Sequence, residues 1–306
     1  MTTDLYKNRS YLGCHSAAFK FICSNMSAIL KQTYAYVLAV SLLATLYSAL
    51  LMTQFRFTTI GDIVIATLAT LAFLVGSVFL TAHVKSSLLG IINGAPFKDN
   101  MRKMLKITIF GFVACMTTEI VVNLCSTGLL VLTDSFIKSG TIILGLELLF
   151  YILLLILMAL VLSPLLYSGA KYLVEKGHKF KSILGHNYHI GFKRIGYLFC
   201  QMLIFALVSV VVGLFTLIPF VFILLAMYVD KCGVAMGDPT GLPKYFPWLM
   251  GIVVFIVVFI NMYVMLYFDT TIYYAYGNIQ TDVNIKIETG NELSETTKQT
   301  GNDTDE

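Results

Sequence analysis

The stretch from Thr141 to Tyr167 decides the fold class of this chain: TIILGLELLFYILLLILMALVLSPLLY. Glu147 is its only charged residue. A helix needs about 20 predominantly apolar residues to cross a hydrocarbon layer of about 30 Å. Because an isolated segment in lipid can satisfy its backbone hydrogen bonds only as a helix, this stretch is predicted to be a membrane-spanning helix.

Five further stretches meet the same criterion, at 33–53, 62–84, 107–133, 197–228 and 248–270. Of the 306 residues, 58% are hydrophobic and 12% are charged, whereas a soluble domain carries roughly 25% charged residues. The sequence therefore predicts an all-α membrane protein with six transmembrane helices.

Lysine and arginine alternate from one connection to the next. The segment before the first span carries four, and the segments after the second and fourth spans carry five and six. The three other loops together hold only Arg56, Lys138, Lys231 and Lys244. Since these cations collect on the cytoplasmic side of membrane proteins, both termini are predicted to be cytoplasmic.

A Phe-Lys pair recurs at intervals of about 80 residues, and two spans follow each occurrence. The pairs are Phe19-Lys20, Phe97-Lys98 and Phe180-Lys181. Each opens a segment with apolar residues at helical spacing, which predicts a basic amphipathic interfacial helix before each helix pair. The predicted pseudo-repeats are 19–90, 97–178 and 180–278, within a membrane domain of residues 1–278. Positive-inside topology alone also explains basic residues at these sites, so the repeat stays a hypothesis.

Cations on such lead segments are predicted to contact membrane lipids, because each contributes about 1 kcal/mol near an anionic membrane surface. The predicted headgroup contacts are Lys20, Lys31, Lys98, Arg102, Lys103, Lys106, Lys181, Lys193 and Arg194. The segment 279–306 is polar and acidic and is predicted to be a disordered cytoplasmic tail, which either stays solvated or binds a partner.

Two short motifs carry a resemblance. GDPTGLP at 237–243 and YYAYGNIQT at 273–281 resemble motifs of an uncharacterised integral membrane family of Gram-negative anaerobes. The overall plan is also similar to the membrane domain attached to some glycerophosphodiester phosphodiesterases. The resemblance implies a six-helix protein of the bacterial cytoplasmic (inner) membrane, and it implies no activity.

Four polar residues in the spans form a possible intramembrane site: Glu119, Asn123, Glu147 and Asn261. Glu119 lies near the middle of the third span, where a charged side chain costs at least about 2.5 kcal/mol. One interpretation is an ion, proton or lipid-headgroup site. The alternative is a helix-packing hydrogen bond.

Enzyme and metal motifs are missing from the sequence. It contains no GxSxG, HExxH or Walker pattern, its six cysteines include no CxxC pair, and none of its five histidines lies deep in a span. No cofactor or metal is expected, and a net charge of +4 gives no indication of nucleic-acid binding. The sequence favours a non-catalytic membrane protein that contacts lipid, a protein partner or another copy of itself. The alternative is a small-solute or ion transporter that uses Glu119.

Overall fold

The computed structural model describes residues 5–53, 60–134, 140–175, 177–238, 241–243 and 245–302. Within these ranges the chain is helical and contains no β-strand. The helices are α1 (Tyr11–Ser24), α2 (Met26–Thr53), α3 (Ile60–Asn93), α4 (Phe97–Asp134), α5 (Gly140–Val174), a short 3₁₀-helix (Phe180–Ile183), α6 (His186–Phe192), α7 (Ile195–Ala235) and α8 (Phe246–Asn302).

Six of these helices are long and apolar enough to cross a membrane, which confirms the predicted all-α class and the predicted number of helices able to span. The candidate spans lie in α2, α3, α4, α5, α7 and α8. Several helices run further than the predicted spans. For example, α3 continues from the predicted end at residue 84 to Asn93, because Leu88 and Leu89 are fully buried against neighbouring helices.

The helices connect alternately at two ends of the bundle. At one end, α1 meets α2 near Asn25, α3 turns into α4 at 94–96, and the chain between α5 and α7 forms the 3₁₀-helix and α6. This end, which also contains α1 and the segment 266–285 of α8, is called the basic end here. It contains the lysine-rich and arginine-rich segments of the sequence.

The three lead segments differ from one another. In the first, α1 ends at Ser24 and is capped by Asn25, whose side-chain Nδ2 donates to the Phe21 carbonyl at 2.9 Å, and α2 begins at the next residue. The second has no separate interfacial helix, because Phe97 begins α4 itself. The turn before it is held by paired amides, with Asn93 and Asn100 exchanging side-chain hydrogen bonds of 3.0 and 3.1 Å. The third contains the 3₁₀-helix and α6.

The longest unbroken run of buried residues in the described part of the chain lies on α8 at the basic end. Every residue from Thr270 to Ile279 is buried, because α1, α2, α5 and α7 all pack on this helix. A helix buried on all sides is normally apolar all round, yet this stretch carries tyrosines and an asparagine that bond to neighbouring helices. The basic end therefore has a polar, aromatic core.

The last helix does not stop where the sequence predicted a tail. The predicted boundary was residue 279, whereas α8 continues to Asn302. Ile279 is buried, and Asp282 pairs with Arg194 at 3.2 Å. These contacts extend the packed domain beyond its predicted end by at least one helical turn.

Candidate functional site

The candidate site is a cavity of about 980 Å³ at the basic end. Its walls come from the N-terminal segment, α1, the last turn of α3, the end of α5 and α8. Its lining residues are Leu5, Tyr6, Arg9, Gly13, Ser16, Ala17, Lys20, Phe21, Ser24, Ile92, Asn93, Val174, Glu175 and Tyr274. One part of the wall is thus apolar and another carries hydroxyls, an amide and charges.

The N-terminal segment is seated directly on α8. Gly277 lies against the Leu5 carbonyl so closely that a Cβ atom at this position would overlap with it. The backbone N–H of Arg9 donates to Asn278 Oδ1 at 2.7 Å, and its guanidinium lies 5.0 Å from the centre of the Tyr274 ring. These contacts hold the Arg9 cation at the cavity wall.

A hydrogen-bonded network forms part of the cavity wall and extends behind it. Glu175 follows the last turn of α5 and accepts from the Tyr276 hydroxyl, and its other carboxylate oxygen contacts His178 Nε2. The Tyr6 ring packs edge-on against Tyr276, and burial raises the pKa of the Tyr6 hydroxyl. The only carboxylate among the lining residues is therefore committed to partners within the protein.

Side-chain hydrogen bonds link helix α1 to α7 and α8. Cys14 Sγ lies 3.2 Å from the Tyr197 hydroxyl, which also accepts from Asn278 Nδ2 at 2.8 Å. His15 Nδ1 lies 2.8 Å from the Tyr267 hydroxyl. Burial raises the pKa of the Cys14 thiol and lowers that of the His15 imidazole, because both charged forms lose hydration. Both groups are thus held neutral.

The charges around the cavity favour an anion. Arg9 and Lys20 are the two cations in the lining, and Glu175 is its single acid. In the described part of the chain no hydrogen bond or ion pair engages the Lys20 ammonium, which is solvent-exposed. The Ser16 hydroxyl also lines the cavity, whereas Ser24 Oγ donates to the Phe21 carbonyl at 3.0 Å and the Asn93 amide is paired with Asn100. The apolar wall beside them suits a hydrocarbon chain.

Of the predicted headgroup contacts, Lys20 alone lines this cavity. Two others are engaged within the protein: Lys103 and Arg194. Lys103 Nζ donates to the carbonyls of Tyr172 and Glu175 at 2.9 and 2.8 Å, at the carboxyl end of α5, and Arg194 pairs with Asp282. The remaining side chains are exposed at the basic end, namely Lys31, Lys98, Arg102, Lys106, Lys181 and Lys193.

The four predicted intramembrane polar residues do not converge on the cavity. Glu119 and Asn123 are both exposed on α4, and Glu147 is partly exposed on α5. Asn261 is exposed on α8, where its Nδ2 donates to the Val257 carbonyl of its own helix at 2.8 Å. None of the four lines the cavity at the basic end.

Other site residues were not predicted from the sequence. The sequence reasoning missed Arg9, Asn93 and Asn278, because nothing local marks their approach in space. The motif at 273–281 was the feature of the sequence that pointed to this site. It supplies Tyr274, Tyr276 and Gly277, the glycine that contacts the N-terminal segment. Asp269 of α8 forms an ion pair with Lys85 of α3.

The fold and its six long apolar helices define a multi-pass α-helical membrane protein, with its larger buried cluster and the cavity described above at one end. Comparison with protein-family models, with curated proteins and with solved structures finds no match to the chain. Among the residues that the structure describes, no group of three or more His, Cys, Asp or Glu side chains is placed to hold a metal ion.

Proposed function

We propose that this is a non-catalytic membrane protein that binds the headgroup of an anionic lipid in the cavity at its basic end. The proposal is carried by the lining of the cavity, where Arg9 and Lys20 adjoin an apolar wall that includes Phe21 and Ile92. An anionic lipid is complementary to both parts of this lining, because its negatively charged headgroup is attached to hydrocarbon chains.

The position of α1 supports a site at the headgroup layer. This helix precedes the first span, and its outer face exposes Leu12 and Phe19, which are 68% and 62% exposed. They are seven residues apart and therefore lie on one face, as expected for an interfacial helix that inserts apolar side chains beneath the headgroups. The cations then lie at the depth of lipid phosphates.

The alternation of lysine and arginine along the sequence supports an inside location for the basic end. We therefore place the cavity at the cytoplasmic leaflet, in the inner membrane of a bacterium. Anionic lipids give this leaflet a negative surface potential, which raises the local concentration of the proposed ligand class.

A lipid titration of the purified protein tests the proposal. The protein in neutral detergent is titrated with phosphatidylglycerol or with phosphatidylcholine of the same acyl chains, and the midpoint of thermal unfolding is followed. A ligand that binds only the folded state raises this midpoint. We expect phosphatidylglycerol to raise it more. Lys20→Gln should weaken the apparent affinity about fivefold, since one cation contributes about 1 kcal/mol near the surface.

Lys31→Gln is the matched control. Lys31 is also an exposed lysine of the first lead segment, but it does not line the cavity. It should weaken the response to phosphatidylglycerol clearly less than Lys20→Gln does, because Lys31 attracts anionic lipid only at the general surface. Equal stabilisation by the two lipids would refute the proposal, and so would an equal loss of affinity in the two lysine variants.

A further inference from the structure

A polar ridge runs along the exposed side of α4 in its membrane span. Cys115, Glu119, Asn123 and Thr127 recur every four residues, and all four are exposed. The side of α4 that contacts the rest of the chain is a different strip, formed by Ala114, Thr118, Val122 and Ser126. Residues four apart lie one above the other on a helix, so the four exposed side chains form one continuous ridge.

The middle of this ridge lies where lipid offers no hydrogen bonds. Glu119 and Asn123 flank the centre of the stretch 107–133, with Met116, Ile120 and Leu124 exposed beside them. A polar side chain at this depth is unfavourable unless another polar group meets it. Lipid tails supply none.

The described part of the chain does not supply that group. Thr117 and Thr118 each bond back to a carbonyl of α4, at 2.8 Å. No hydrogen bond or ion pair within the described residues engages the Glu119 or Asn123 side chain, and the cavity at the basic end does not include them. Within the described ranges, the Glu119–Asn123 pair therefore has no polar partner.

We propose that the partner is a second copy of this chain, packed ridge against ridge on α4 about a two-fold axis along the membrane normal. Asn123 Nδ2 of each copy then donates to the Glu119 carboxyl of the other copy, which makes two equivalent bonds. Glu119 and Asn123 are self-complementary, because one supplies an acceptor and the other a donor one helical turn away. No third residue is needed, and a two-fold arrangement closes the assembly.

The rest of the ridge fits a close helix pair. Ridges of residues four apart interdigitate in the most common class of helix packing. Cys115 and Thr127 have small side chains at the two ends of the ridge, and small residues favour close approach of helices in membranes. Helix α4 can thus meet its counterpart over about three turns.

Oligomeric state in vesicles tests the proposal. The purified full-length protein, labelled with donor or acceptor dye, is reconstituted in phosphatidylcholine vesicles over a range of protein-to-lipid ratios. Energy transfer between copies then gives the dimer dissociation constant. Wild type should be dimeric. Glu119→Leu and Asn123→Leu should each raise the dissociation constant about tenfold, as expected for loss of two interhelical hydrogen bonds.

Two further variants distinguish loss of this interface from a general effect of substituting a polar residue in a membrane span. Glu119→Gln should keep wild-type dimerisation, because its carboxamide still accepts from Asn123. Asn261→Leu, which replaces an exposed asparagine on α8, should also leave the dimer intact. A monomeric wild type at every protein-to-lipid ratio would overturn the proposal. The same holds for a dimer that survives both leucine variants, or one that Asn261→Leu weakens equally.

Discussion

Lys85 Nζ lies 3.1 Å from each carboxylate oxygen of Asp269, and this ion pair joins α3 to α8 within the packed basic end. The two side chains are only 21% and 17% exposed. A pair this sheltered loses much of its hydration, so each charge depends on the other for compensation. The pair therefore specifies how α3 and α8 meet.

Removing one member of this pair should destabilise the protein strongly. Asp269→Asn leaves the Lys85 ammonium sheltered without its counter-charge, and we expect a loss of about 3 kcal/mol in the free energy of unfolding. The double variant Lys85→Met/Asp269→Leu should lose less, because it removes both charges. Unfolding in mixed micelles with increasing sodium dodecyl sulfate measures both values.

The Arg194–Asp282 pair gives a matched comparison at the surface. Its side chains are 33% and 31% exposed, so solvent screens the attraction more effectively. Asp282→Asn should cost less than about 1 kcal/mol. Equal losses in the two single carboxylate variants would contradict the assignment of Lys85–Asp269 as the structural pair.

Gly277 should be needed to hold the N-terminal segment on α8. In Gly277→Ala, the added Cβ atom overlaps with the Leu5 carbonyl, so the segment must move. We expect trypsin to cut after Lys7 or Arg9 several-fold faster in this variant, together with a weaker response to phosphatidylglycerol. Peptide mass spectrometry over a digestion time course measures the cleavage rate.

Gly111→Ala provides the control for this substitution. Gly111 is a helical glycine with open space around the position of a Cβ atom, so the variant should be digested at the wild-type rate. If Gly277→Ala and Gly111→Ala behave alike, the contact with Leu5 does not anchor the segment.

We expect the protein to become less stable in mild acid because of the buried His15 side chain. Burial lowers the pKa of His15 in the folded state, whereas an unfolded histidine binds a proton below about pH 6.5. The unfolded state thus takes up more protons as the pH falls from about 6.5, and stability decreases by at most about 1.4 kcal/mol per pH unit until the folded-state pKa is reached.

His15→Gln should flatten this part of the pH profile, because glutamine does not titrate there and keeps a hydrogen-bonding group toward Tyr267. His189→Gln, at an exposed histidine of α6, should leave the profile unchanged. Thermal midpoints between pH 5 and pH 8 report both variants. A wild-type slope that persists in His15→Gln would rule out this histidine as its source.

Cys14 should react slowly with thiol reagents. Its side chain is fully buried beside Tyr197, and burial raises the pKa of its thiol, so little thiolate is accessible at neutral pH. Cys23 is exposed on the same helix and serves as the internal reference. We expect N-ethylmaleimide to label Cys23 many times faster in the folded protein, as measured by peptide mass spectrometry. Comparable rates would show that α1 does not pack as described.

The predicted spans are close to the observed helices, and the differences have a common origin. Hydropathy ends the second span at residue 84, where Lys85 follows, yet α3 continues because its later residues pack on other helices. Composition likewise ends the domain before Ile279, which is buried through contacts with distant elements. Hydropathy over a sequence window indicates whether a segment prefers water or lipid. It does not indicate which distant residues pack against that segment.

The candidate site was harder to predict. Lys20 was identified from the charge pattern, but Arg9 and Asn93 were not, because the cavity brings together residues more than 80 positions apart. Glu119 was identified as unusual, and its exposed position on α4 was not predictable. Neighbours on one helix follow from spacing, whereas the side of a helix that faces lipid depends on how the whole bundle packs.

The sequence by itself determined the helical class, the six helices long and apolar enough to span a membrane, and the alternation of charge. These follow from local composition, because the bilayer imposes a fixed length of apolar helix and cations avoid crossing it. Only the tertiary structure decided the partners: Lys85 for Asp269, the Leu5 carbonyl for Gly277, and a cavity wall for Arg9 and Lys20. Such pairings depend on contacts between residues far apart along the chain, which close packing brings within reach.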